Sequence, residues 1–153
     1  MITKNKLKKG VLILFAAFLL MQFIPKKYNE SGQIEKTDIF KIYKAPQTVQ
    51  NKIKTSCYDC HSNHTKYPWY NKIQPIALFL ENHINEGKEE LNFSEFGNYS
   101  KRKKKSKLKS IRSQIEKNEM PLKTYTFIHK DAILSKNDKT EILQWMDRIL
   151  KDL

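Results

Sequence analysis

Cys57-Tyr58-Asp59-Cys60-His61 holds both cysteines of the chain and has the C-x-x-C-H spacing at which haem is attached covalently. In that chemistry each thiol adds across one vinyl group of a porphyrin. A three-residue offset on one helical turn puts both sulfurs on the same side of the backbone. His61 comes next, so a ring nitrogen can bind iron from below as the proximal ligand. The stretch points to a helical domain around one covalent haem c, held by Cys57, Cys60 and His61.

Three plainer readings fit the same residues less well. A Cys57 to Cys60 disulfide uses only the thiols. A thioredoxin-like redox pair belongs at a strand-to-helix turn, and nothing upstream of Cys57 reads as a buried parallel strand. A zinc site needs two of His61, His64, His83 and His129, and the Cys57, Cys60, His64 spacing is tolerable for it. That reading gives a zinc-stabilised interaction module.

Upstream, Pro46 can open a helix that places Val49, Ile53 and Cys57 on one face, so the motif falls at the C-terminal end of an amphipathic helix. Residues 28–44 read as a polar tether, with Ser31-Gly32 near its start, leading to a contact segment at Ile39, Phe40 and Tyr43. Before it, Lys4, Lys6, Lys8 and Lys9 precede residues 11–24, which are apolar except for Gln22, and Pro25-Lys26-Lys27 follows. This is the grammar of a secretory signal or an N-terminal membrane anchor.

These fourteen residues give a helix of about 21 Å against a hydrocarbon core of about 30 Å, which favours a cleaved signal. No small-x-small cleavage site follows, however, and lysines on both sides can snorkel to extend the span. The expectation is an uncleaved anchor over residues 1–27 with its N-terminus in the cytoplasm.

Downstream, residues 63–71 with Pro68 read as a loop. Ile76, Leu80 and Ile84 mark a helix stopped by Gly87. Leu108, Ile111 and Ile115 mark a further helix whose other faces are mostly lysine. Ser135 with Asp138 caps a final helix with Ile142, Met146 and Ile149 on its core face. The only strand-like piece is a short one at residues 124–128. The expected fold is mainly α: a cytochrome c-like helical domain over residues 45–153, preceded by the tether and the hydrophobic anchor helix.

Met120 is the best candidate for a second axial ligand. Pro121 stops the preceding helix and turns Met120 out of the α region. Met120 lies 59 residues after His61, a layout that resembles class I cytochromes c, and histidine/methionine ligation suits electron transfer. The competing ligands are His129 and His83, or none. His64 reads as a turn residue and Met146 as core packing. Tyr67, Trp69, Tyr70 and Tyr125 are candidates to wall the porphyrin or donate to its propionates, or to pack in turns and core.

The net charge is +13, of which the six lysines of residues 1–27 account for six. Lys101, Arg102, Lys103, Lys104, Lys105, Lys107, Lys109 and Arg112 put eight basic residues within twelve. Such a run is a solvated helix face, or a dock for an acidic partner or anionic lipid. Export makes nucleic acid improbable as a partner.

Taken together, Cys57-Tyr58-Asp59-Cys60-His61-Ser62-Asn63, Tyr67-Pro68-Trp69-Tyr70, Leu91-Asn92-Phe93-Ser94, Glu119-Met120-Pro121-Leu122, and Tyr125 with His129 resemble the haem-binding domain family of bacterial single-haem, cytochrome c-like proteins. The resemblance runs from about Asp38 to the end. Lys130, where proline is expected after His129, and the lysine cluster depart from it. It implies one covalent haem c on Cys57, Cys60 and His61, lends weight to Met120, and implies export behind a short anchor. The function expected is electron transfer by a non-enzymatic carrier on the inner membrane, facing the periplasm and meeting a redox partner protein. The alternative is a haem site left open as a peroxidase or gas sensor.

Overall fold

The computed structural model describes residues 4–31 and 35–153. Gly32 of the tether and the first three residues of the basic flank lie outside the described residues. The helices are α1 (Lys4–Met21), α2 (Ile39–Ile42), α3 (Gln47–His61), α4 (Ile76–Glu90), α5 (Lys101–Glu116), α6 (Lys123–Ile128) and α7 (Lys136–Asp152), with 3₁₀ turns at Trp69–Lys72, Phe96–Asn98 and Lys130–Ala132. The architecture is mainly helical as expected, and no β-strand occurs among the described residues. The chain forms two compact units, Met1–Tyr28 with Tyr67–His83, and Asn29–Lys66 with Ile84–Leu153.

In the smaller unit, α1 buries none of its side chains. Its first turns carry Lys4, Lys6, Lys8 and Lys9, so the apolar part is shorter than the helix. Among the described residues no helix is long and apolar enough to cross a membrane. The N-terminal segment is helical over Lys4–Met21, but the apolar membrane-spanning helix expected within residues 1–27 is not found. Gln22, the one polar residue of the apolar run, pairs with Gln74 twice: its amide donates to the Gln74 carbonyl (3.1 Å) and its Oε1 accepts from the Gln74 N–H (3.0 Å).

The larger unit packs α3 and α5 on α7. Val49 and Ile53 of α3, Leu108 and Ile115 of α5, and Ile142, Trp145, Met146 and Ile149 of α7 are buried, each set recurring at helical spacing. Met146 is core, as its place on the stripe suggested. Pro46 serves as the residue before the helix and not its first residue. Ile39, Phe40 and Tyr43 join this core. Asp38 caps α2 by accepting from the Phe40 N–H at 2.9 Å.

Two further expectations change. Residues 124–128 form α6 and no strand. A strand needs neighbours to pair with, and here Phe127 and Ile128 are exposed while Thr126 Oγ1 donates to the Leu122 carbonyl at 3.3 Å. Gly87 does not stop α4, which runs on to Glu90. Its lack of a side chain serves packing.

The cap of α7 is reciprocal, Asp138 N–H donating to Ser135 Oγ (3.1 Å) and Ser135 N–H to Asp138 Oδ2 (2.9 Å). Burial raises the Asp138 pKa, but the Ser135 bonds and nearby Lys52 outweigh it, so the carboxyl sits below its ordinary range. A lowered carboxylate stabilises the fold above its unfolded pKa of about 3.9 and ceases to as pH falls through the folded value. We expect Ser135→Ala to cost about 1 kcal/mol in urea melts at neutral pH. Asp138→Ala should also destabilise at pH 7, and that deficit should close on acidification below about pH 4.

Candidate functional site

The motif occupies the last turn of α3, and the helix ends at His61 because Ser62 is extended (φ −141°, ψ 174°). His61 Nδ1 lies 2.7 Å from the carbonyl of Gly87 and 3.1 Å from that of Leu91. Carbonyls only accept, so Nδ1 carries a proton, and in the neutral ring Nε2 keeps its lone pair. A histidine whose second nitrogen is held this way is fixed in tautomer and ring orientation for a metal. The Phe93 ring meets it edge-on at 6.4 Å, and the Phe93 N–H donates to the His61 carbonyl at 2.7 Å.

Gly87 makes this contact possible. A Cβ on it would lie 2.6 Å from the Cys60 carbonyl oxygen, so only glycine lets the end of α4 approach the end of α3 closely enough to present its carbonyl to His61.

The segment after the motif is clamped from two sides. Asn29 Nδ2 donates to the Ser62 carbonyl (2.8 Å) and to Thr65 Oγ1 (2.9 Å), and Glu30 forms a β-bridge with His64. On the other side Asn92 Nδ2 donates to Asn63 Oδ1 (2.8 Å), and Asn63 N–H to Ser94 Oγ (3.1 Å). Asp59, between the cysteines, accepts from the Lys66 N–H (3.0 Å) and the Tyr125 hydroxyl (2.7 Å). Burial, then this bond to Asp59, raises the Tyr125 pKa and keeps its proton on.

A cavity of about 250 Å³ opens beside His61. Cys57, His61 and Met120 all line it, with Leu91, Phe93, Ile111, Ile115, Pro121 and Leu134 as apolar wall and Glu90, Lys107, Ser110 and Gln114 among its polar members. Met120 reaches it because α5 stops at Glu116 and Asn118 takes a left-handed turn (φ 58°), a conformation asparagine tolerates. The N–H groups of Glu119 (2.9 Å) and Met120 (3.3 Å) then both return to the Gln114 carbonyl. Three of the four site residues read from the sequence therefore share one cavity. Cys60 does not line it, although it is half-buried one residue before His61.

Both thiols are free. Burial, then Cys60, pushes the Cys57 pKa up to about 12, and burial, then Asp59, pushes Cys60 to about 11. A reactive thiolate pair requires the opposite shift.

The competing iron ligands lie elsewhere. His129 stacks on Tyr125 (centroids 4.3 Å) and His83 meets Phe79 at a tilt of 44° (4.2 Å), and neither lines the cavity. His64 is exposed, with Nδ1 3.1 Å from the Ser31 carbonyl. Tyr67, Trp69 and Tyr70 belong to the smaller unit. Tyr125 is spent on Asp59. Among the described residues no three His, Cys, Asp or Glu side chains converge to hold a metal ion, so the zinc reading finds no donor set.

A family model described as a haem-binding domain matches residues 16–148, and the chain belongs to that family. No curated protein and no solved structure matches it. The residues suit the group the family binds: an apolar-walled cavity, an imidazole with a free Nε2, and a neutral thiol and a thioether on its lining.

Sequence reasoning missed Gly87 and Asn29. A lone glycine inside a helical pattern is a signal for close packing, whereas Asn29 carries no local mark. Gly87→Ala should lose about 1–3 kcal/mol in chemical unfolding, because the clash is with backbone that cannot yield, and should lower haem loading per chain. Gly10→Ala, where the added carbon meets nothing within 4 Å, is the control and should lower neither.

Proposed function

We propose that the protein is a single-haem c-type cytochrome with a cytochrome c-like helical domain, anchored in the inner membrane and passing electrons on its periplasmic side. The observation that carries this reading is the cavity shared by Cys57, His61 and Met120. When bound, the haem supplies a one-electron ferric/ferrous couple. Cys57 and Cys60 would hold the porphyrin through thioether bonds; their burial, which keeps them as thiols, argues against a dithiol redox role.

His61, oriented by the Gly87 and Leu91 carbonyls, offers Nε2 to iron. Met120, on the lining of the same cavity, offers a thioether as second ligand, a pairing that raises the potential. With both residues bound, iron would have no position left for a substrate, which suits a carrier over an enzyme.

The basic face of α5 suits an acidic redox partner. Lys101, Arg102, Lys103 and Lys109 are exposed, and with them the helix presents a field that steers negative surfaces. The bare apolar side chains of α1, with lysines on both flanks that can snorkel, support an anchor in lipid in spite of its length.

The ligand set is tested by spectroscopy. Oxidised protein should show the weak far-red sulfur-to-iron band, and Met120→Ala should abolish it and open the ferrous protein to carbon monoxide. Fast carbon monoxide binding by the unmutated protein would contradict the reading and favour an open-site peroxidase or gas sensor. The anchor is tested by washing: haem should sediment with membranes, resist high salt and yield to detergent, since ions do not screen lipid insertion. Release by salt would make residues 11–24 a cleaved signal and the α5 cluster the membrane contact.

A further inference from the structure

The smaller unit carries apolar surface that α1 alone does not account for. Trp69 is 74% exposed, Phe79 59%, Leu78 43% and Ile76 42%, the last three in the first turn of α4. The other tryptophan, Trp145, is 1% exposed in the core, so large rings are hidden where the fold has a use for them. Exposed apolar groups concentrated in one short segment of this kind mark an interaction surface.

Their place within the unit suggests what covers them. Gln22 and Gln74 are joined by two hydrogen bonds, and Lys26 Nζ donates to the Lys72 carbonyl at 2.6 Å. Tyr28 meets Tyr67 edge-on at 5.1 Å. These contacts tie the segment bearing Trp69 to Phe79 to the C-terminal end of α1. Of the charged side chains in this unit, residues 1–28 and 67–83, seven are lysines (4, 6, 8, 9, 26, 27 and 72) and one is acidic, Glu81. Exposed aromatic rings among seven lysines and a single acid are the composition of segments that sit in the headgroup layer of an anionic membrane.

We propose that this unit is a membrane-surface module, in which Trp69, Ile76, Leu78 and Phe79 enter the interfacial layer of an anionic bilayer next to the exit of α1. The proposal rests on the reading of α1 as the membrane contact and adds a second one. It also answers the length problem. An apolar run of about 21 Å in a core of about 30 Å is accommodated by drawing its flanking residues into the interface. Tryptophan and lysine are the residues that tolerate that zone.

The test is hydroxyl-radical footprinting, read by mass spectrometry, of the intact haem-loaded protein floated with phosphatidylcholine/phosphatidylglycerol vesicles after a high-salt wash. Each residue's oxidation rate is normalised to its rate in denatured protein. Trp69 and Phe79 should be oxidised several-fold more slowly than Phe127, which is 76% exposed on α6 in the larger unit and serves as the internal reference. Should Trp69 and Phe79 react as fast as Phe127 in protein that still floats, this inference is overturned while the anchor reading survives. Failure to float after the wash overturns both. Equal protection of Trp69 in vesicle-free, self-associated protein also overturns it, since a second copy is then the occupant.

Discussion

The pair of hydrogen bonds from His61 Nδ1 to the carbonyls of Gly87 and Leu91 is the constraint on which the rest of the site depends. They fix which nitrogen is protonated, aim the ring, and require the end of α4 to lie against the end of α3. That approach has a steric condition, a residue without Cβ at position 87, and the chain meets it. The clamps on residues 62–66 by Asn29, Asn92 and Ser94 then hold the segment that leaves the motif. The Gly87 carbonyl also accepts from the Leu91 N–H at 2.9 Å, so the last turn of α4 is held closed by the same oxygen that orients the imidazole.

The core behind the motif stiffens the same arrangement. Phe40, Tyr58 and Phe93 stack with centroids 5.7 and 5.3 Å apart and planes within 12°. Tyr58, one residue past Cys57, donates its hydroxyl to the buried Asp38 carboxylate at 3.0 Å. Burial, then Asp38, raises the Tyr58 pKa and keeps this donor protonated. A satisfied polar pair inside an aromatic stack fixes one packing register. Cys57 packs against that core and lines the cavity together with His61.

Much of this could be read from the chain, and what could not has a physical reason. C-x-x-C-H, the Met-Pro turn and the Ser135 cap are local patterns, and local patterns survive in sequence. The helix stripes at Val49 and Ile53, at Leu108 and Ile115, and at Ile142, Met146 and Ile149 gave the helical core for the same reason. Residues 124–128 looked like a strand because alternation was judged without a pairing partner, and the Tyr125 hydroxyl finds Asp59 instead. Gly87 looked like a helix stop because its real neighbour, Cys60, is 27 positions away. Asn29 was invisible, since its role exists only once residues 62–65 are placed beside it.

Intact-protein mass spectrometry under denaturing conditions tests the central claim most directly, on protein made in a host that can attach haem. Thioether bonds survive unfolding, whereas coordination and packing do not. The expected result is a chain heavier by one haem, returning to the bare polypeptide mass in the Cys57→Ser, Cys60→Ser variant. A bare polypeptide from the wild type, with haem lost on unfolding, would contradict covalent attachment and leave a haem-binding domain that holds its cofactor by His61 and packing alone.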